Sequence, residues 1–433
     1  MVSTLFGRRS LFPLVLGGCL LTSGNGVKPD SLPSPLVAES KRNNVIAAKV
    51  NPSFHTSLVQ ASIKRNPMSL KNFPLLGEDG SDTVDLEVVS FDVLTSDAVT
   101  VVVKPNGSEE TLRPSVQLVR GQVKGNAKSN VVLGFTDSGV NGFIQIEDQL
   151  YIVAEDHKQN DRITYVYNTA KVDMPAGKEL KDELLQAPGE GRQLRKSGSG
   201  LGSRELQGSH CYTVAIDTLD DFLSGQSVDD KMNYAYTIMA ATSLLFAGIQ
   251  DWHLEANTFT NSDTFQMYIA VGYIRVYQNG ASDWYNPRGR CRNNIIQGNC
   301  LLTASRDYWT GNSHPQIPSC HVLITLSQQC GPYGGVAWIN AVCETGYKYA
   351  IAGCLDGYFP LPLEPAGNPT SGTWDLTVVA HELGHSFGSP HTHDFDPPID
   401  TCAKNCNVPN GKPIEPFSSV SIYIYWLLTI LSW

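Results

Sequence analysis

Between residues 20 and 210 the chain has no cysteine. That stretch therefore holds no disulfide framework and offers no thiolate to a metal. Beyond Cys19, every cysteine falls late, at Cys211, Cys291, Cys300, Cys320, Cys330, Cys343, Cys354, Cys402 and Cys406. C-x-x-C pairs are absent, so the clustering reads as disulfides in an exported chain rather than as zinc thiolates. These nine are an odd number, which leaves one thiol without a partner in the chain. Basic residues are scarce in the second half. Residues 1–200 carry 22 basic and 22 acidic side chains, leaving 10 basic against 20 acidic for the rest and a net charge of −10. That balance, with no basic patch, excludes nucleic acid as a partner. Long apolar runs are lacking as well. The run from Leu11 to Leu21 is too short to span a bilayer permanently, so no stable membrane span is expected.

The composition, 41% hydrophobic and 17% charged over 433 residues, is that of a globular chain with room for two or three domains. Arg8 and Arg9 followed by the Leu11–Leu21 run and small residues near Ser23 and Gly24 form a secretory signal over residues 1–24. "LGGC", Leu16 to Cys19, also loosely resembles a lipoprotein cleavage box, which would give a lipid-anchored, cell-surface protein. Secretion is the preferred expectation. Asn106-Gly107-Ser108 is a glycosylation sequon.

Residues 25–83 read as loop-rich. From about 84 to 170, "VDLEVVSFDVL", "AVTVVVK", "VQLVRGQV" and "QLYIVAED" read as strands separated by Gly, Asn and Asp turns. A polar, glycine-rich linker, Ala187 to Gly208, follows. It contains Arg192 and Arg195 in "RQLR", a minimal dibasic processing site at the boundary between the cysteine-free and cysteine-rich halves. Beyond it "CYTVAID", "TFQMYIAVGYIRVY", "HVLITL" and "GGVAWINAV" read as strands, and Ser227 to Gly248 as a long helix. That order implies a mixed sheet with helices packed on it.

Histidine is also rare, ten in all, yet four fall in "VVAHELGHSFGSPHTHD", Val378 to Asp394. With about 3.6 residues per helical turn, His381 and His385 lie on one face of a helix. Ser371 or Thr373 can cap that helix, Asp375 suits its positive end, and Gly388 ends it. Past Gly388 the chain can turn so that His391 reaches the same ion. Three imidazoles with one position left open are the layout of a catalytic zinc site. Glu382, beside the first ligand, projects away from the ligand pair and is suited to take a proton from zinc-activated water. His393 could replace His391, although the spacing favours His391. Asp394 is either an acceptor holding a ligand ring or a loop acid. Asp251 and Glu255 could bind calcium, although solvated acids explain them as well.

The full string H-E-x-x-H-x-x-G-x-x-H, together with "DWYN" (Asp283 to Asn286) and "GPYGGVAWINAVC" (Gly331 to Cys343), resembles the reprolysin-like (adamalysin-type) metzincin zinc metalloproteases. "RGQVKGNAKSNVVLGFTDSGVNGFIQIEDQLYIVAED" resembles their propeptide. The resemblance implies an α/β (α+β) metzincin-type catalytic domain over residues 196–417, with a mixed twisted sheet and a zinc-binding active-site helix. A β-rich propeptide over 25–195 precedes it. It implies His381, His385 and His391 as ligands of one zinc ion and Glu382 as the base. It makes Gly334 to Ile339, including Gly335, Val336 and Ala337, the strand that pairs with extended protein or peptide substrates.

Two features depart from the family. Many relatives keep latency with a propeptide cysteine, absent here, so latency is expected to be steric or to use another ligand. Relatives also carry a methionine-containing turn after the third histidine, whereas no methionine follows Met267. Residues 418–433 instead form an uncharged apolar tail, which reads as the end of a truncated or misread product. The expectation is a secreted, monomeric zinc endopeptidase made as a proenzyme. The competing expectation is a catalytically silent secreted binding or adhesion protein, which the intact motif argues against.

Overall fold

Apolar side chains alternate along most of the first-half strands, and in the computed structural model both faces of those strands are covered. The structure describes residues 30–172 except 43, 65–66, 77–82, 148 and 157–161; then 182–185, 209–248, 266–281, 298–311, 321–329, 334–355 except 345, 357, and 374–388. The first half contributes β1 (Asp30–Leu32), β2 (Leu36–Arg42), β3 (Val45–Val50), α1 (Pro52–Lys64), β4 (Met68–Pro74), β5 (Thr83–Ser90), β6 (Leu94–Val103), β7 (Glu109–Thr111), β8 (Gln117–Val123), β9 (Ser129–Phe135), β10 (Val140–Ile146), β11 (Gln149–Glu155), β12 (Thr164–Asn168) and β13 (Asp182–Leu185). The second contributes β14 (Ser209–Thr218), α2 (Val228–Gly248), β15 (Gln266–Tyr277), α3 (Gly298–Thr310), β16 (His321–Leu326), β17 (Gly335–Trp338), β18 (Tyr349–Ala352) and α4 (Trp374–Ser386).

Ten strands form one sheet in the order β1-β4-β5-β8-β9-β10-β11-β12-β3-β2. Leu118, Val132, Phe143 and Ile152 point to one side and bury against α2. Their neighbours Val119, Val131, Ile144 and Val153 point to the other, into a core shared with Phe54 and Leu58 of α1. The expected loop-rich character of residues 25–83 is corrected here, because β1 to β4 and α1 occupy most of the described part. The helix was legible. Pro52 opens it, Asn51 Oδ1 accepts from the Ser53 amide at 3.2 Å, and Phe54, Leu58 and Ala61 form its buried stripe.

The other eight strands run β13-β17-β18-β16-β14-β15-β6-β7. β18, β16, β14, β15 and β6 are mutually parallel, and β17 pairs antiparallel with β18. The sheet is therefore mixed, and its parallel strands need cover on both faces. Val214, Ile216, Ile274 and Ile324 face α2 and α4. Ala215, Tyr273, Leu323 and Ile351 face Leu301, Leu302 and Trp309 of α3.

α2 lies between the two sheets and is buried on all sides from Asp230 to Ser243. Ser227 caps it, accepting from the Asp230 amide at 3.1 Å while its hydroxyl donates to the Asp230 carboxylate at 2.7 Å. Three strands upstream of residue 195, namely β6, β7 and β13, belong to the second sheet. Among the described residues no helix is long and apolar enough to cross a membrane. The signal at 1–24, the linker residues Arg192 and Arg195 and the tail at 418–433 lie outside the described residues.

Candidate active site

α4 carries His381, Glu382 and His385. It forms because Leu376, Val378, Val379 and Leu383 bury against the second sheet and α2, each burial worth about 1.5–3 kcal/mol. The sheet face under it is small: Gly335, Ala337, Ala350 and Ala352 let the helix come close. The approach is tight enough that a β-carbon on Gly335 would collide with the Glu382 carboxylate. Glu382 thus packs on the first residue of β17.

The helix is pinned at both ends. At its start, buried Asp375 accepts from the Tyr234 hydroxyl of α2 at 2.8 Å and from the Gly357 amide at 3.0 Å. At its end, the Asn340 amide donates to the His385 carbonyl at 2.9 Å, and the Ala341 amide to the Ser386 carbonyl at 2.9 Å. These bonds satisfy carbonyls that a helix terminus leaves open. Gly388, with φ of 103°, closes the last turn as expected, its amide donating to the His385 carbonyl at 2.8 Å.

Between these anchors the two imidazoles converge. His381 Nε2 and His385 Nε2 stand 2.9 Å apart, the rings nearly perpendicular at 85°, with His381 3% and His385 0% exposed. Two buried imidazole nitrogens this close together fit a shared divalent cation by donor type. Among the described residues no group of three or more His, Cys, Asp or Glu side chains gathers as a metal site. His391, the expected third ligand, lies outside the described residues, as do His393, Asp394, Asp251, Glu255, Ser371 and Thr373.

Gly334 is buried just ahead of β17, Gly335, Val336 and Ala337 are within it, and of these expected substrate residues Gly335 borders Glu382 directly. The strand spans Gly335–Trp338 rather than reaching Ile339. Its inner edge pairs with β18 and its outer edge is taken by β13 in parallel, Asp182 opposite Gly335 through Leu185 opposite Trp338.

Sequence reasoning gave Asp375 only a helix-dipole role and missed Tyr234 and Asn340. No local signal could supply the first of these, since Tyr234 and Asp375 are 141 residues apart. Residues 245–414, which include β15, α3, β16 to β18 and α4, match a reprolysin model described as metallo-peptidase family M12. No curated protein matches the chain.

Proposed function

We propose that this chain, a reprolysin-like metallopeptidase over the matched stretch, is a secreted zinc endopeptidase made as a proenzyme, with residues 25–195 as its propeptide and 196–417 as its catalytic domain. M12 metallopeptidases are zinc dependent. His381, His385 and His391 would hold the ion, and bound zinc supplies polarisation of the scissile carbonyl and acidification of water. The chain's own residues do the rest. The β17 backbone takes an extended peptide as an added strand, with main-chain hydrogen bonds giving affinity and the side-chain pockets selectivity. Glu382, lying against Gly335, accepts the proton of the attacking water and returns it to the leaving nitrogen.

The carrying observation is that the convergent histidine pair and the buried Glu382 sit on one helix that packs against β17. Disulfide-bonded Cys300, Cys343 and Cys354 support an oxidising, extracellular setting. The test is zinc content and casein hydrolysis of the purified, processed chain. One zinc per chain with cleavage lost in Glu382→Ala, by about a hundredfold or more, is expected. Equal cleavage by parent and Glu382→Ala overturns the reading.

A further inference from the structure

We propose that Asn106 is the acceptor of an N-linked glycan, carried at the outer corner of the eight-stranded sheet. The inference rests on the reading of the chain as secreted.

The sequence supplies the acceptor triplet once. Asn106-Gly107-Ser108 is the one place in 433 residues where an asparagine is followed two positions later by Ser or Thr without a proline between. Asn51-Pro52-Ser53 and Asn368-Pro369-Thr370 have the spacing but carry the excluded proline.

The structure places that triplet where a sugar chain can stand. It lies at the tip of the β6–β7 hairpin, and Pro105 to Thr111 are exposed without interruption. The pairing of Val101 with Thr111 through Val103 with Glu109 ties the tip to the sheet. Among the described residues β7 has β6 as its one strand neighbour, so the far side of the hairpin carries no further strand. A β-carbon built on Gly107 meets nothing within 4 Å, so there is open space beside the acceptor.

The turn is formed by its own residues. The Gly107 amide donates to the Lys104 carbonyl at 2.8 Å, and the Lys104 amide to the Ser108 carbonyl at 2.9 Å. Pro105 in the second position of that turn and Gly107 in the fourth, with φ of 79°, suit the bend. Asn106 Oδ1 accepts from the Ser108 amide at 3.0 Å and from the Ser108 hydroxyl at 2.7 Å. A backbone amide can only donate, so the atom facing it is the carboxamide oxygen, and Nδ2 is directed away from Ser108. Both bonds span two residues, so the arrangement needs no other part of the chain and can form before the sheet does. The hydroxyl, drawing on the carboxamide oxygen, also makes the nitrogen a readier donor of its proton. In the transfer, Nδ2 forms a bond to the anomeric carbon of a polyprenyl-diphosphate-linked oligosaccharide. The bond from that carbon to the diphosphate oxygen breaks, its electron pair leaves on the diphosphate, and Nδ2 gives up one proton to a base of the transferase.

The experiment expresses the full chain in a eukaryotic secretory host, once behind its own residues 1–24 and once with those residues replaced by a proven signal sequence. Chain from the medium and from the cells is treated with peptide-N-glycosidase F, with and without denaturant, beside Asn106→Gln, Ser108→Ala and Gly107→Pro. The parent is expected to lose mass in one step, leaving an aspartate in place of Asn106 that mass spectrometry of the peptide reads. All three variants are expected to start at the lower mass and not to shift. Release from the parent is expected without denaturant as well, because the tip is exposed. A parent with the replaced signal that carries no glycan overturns the inference, as does a shift that persists in the variants or a glycan released only after denaturation. A glycan on the chain with the replaced signal and none on the chain with its own residues 1–24 supports the acceptor and counts against the secretory reading instead.

Discussion

The two edges of the eight-stranded sheet are closed by segments of the same half, yet they are closed differently. At the outer edge β6 enters with Thr100 to Val103 buried, and Arg275 of β15 reaches across to Glu109 of β7 at 3.0 Å. Arg275 also lies over the Tyr277, Tyr308 and Trp309 rings, 5.5 to 5.8 Å from their centres. At the inner edge four residues of β13 pair with β17, beside Glu382. Edge strands need cover, because unpaired backbone groups invite foreign strands. The outer edge is covered by core formation. The inner one is covered by a four-residue backbone pairing, and on the proposed reading of β17 those hydrogen bonds can be exchanged for a substrate's.

That contrast can be broken most severely at the outer edge. Arg275→Met should cost about 3 kcal/mol or more in a denaturant titration, because it removes a buried guanidinium that pairs with Glu109, lies over three rings and offsets the charge of buried Asp217. At the inner edge the expected loss is catalytic. Gly335→Ala should lower casein hydrolysis about tenfold to a hundredfold by pushing Glu382 aside, with zinc content unchanged. Zinc lost together with activity would mean that the whole helix had moved. Tyr234→Phe probes the link between α2 and α4. It removes one donor to buried Asp375 and should lower stability by about 1–2 kcal/mol, measured by thermal unfolding.

The smallest effect concerns pH. Burial, then the charge of Lys348, holds His321 of β16 below its usual value of 6.5, while Asp97 on β6 opposes them. The folded chain therefore binds fewer protons there than the unfolded one. Its stability is complete above the usual value and is lost as pH falls from it toward the depressed one. His321→Gln should flatten that acid limb of the melting temperature.

What the sequence disclosed was mostly local. The His381–His385 spacing, the Gly388 stop and the Ser227 start of α2 each involve residues within a few turns of one another, and the structure has α4 ending before Gly388 and α2 beginning at Val228. α2 was foreseen within one residue of its start, yet its surroundings were not. Asp230, Asn233 and Tyr236 each bond to a partner in the first half, and Thr237 packs against Gly134 there. β6 was read as one more first-half strand. Its "TVVV" run, Thr100 to Val103, is the mark of a segment buried on both faces, and the pairing with β15 lies too far along the chain for periodicity to find. β18 has four residues and no turn signature, and α3 was hidden by polar side chains around Leu301, Leu302 and Trp309.

The core that runs through α2 bears on how the second half can be manufactured. A recombinant gene opened at residue 196 would leave the α2 flank bare of Leu118, Val132, Phe143 and Ile152, and β15 without its outer neighbour. Such a product should precipitate in the host cell, and co-expressing residues 25–195 as a separate polypeptide should restore a soluble yield.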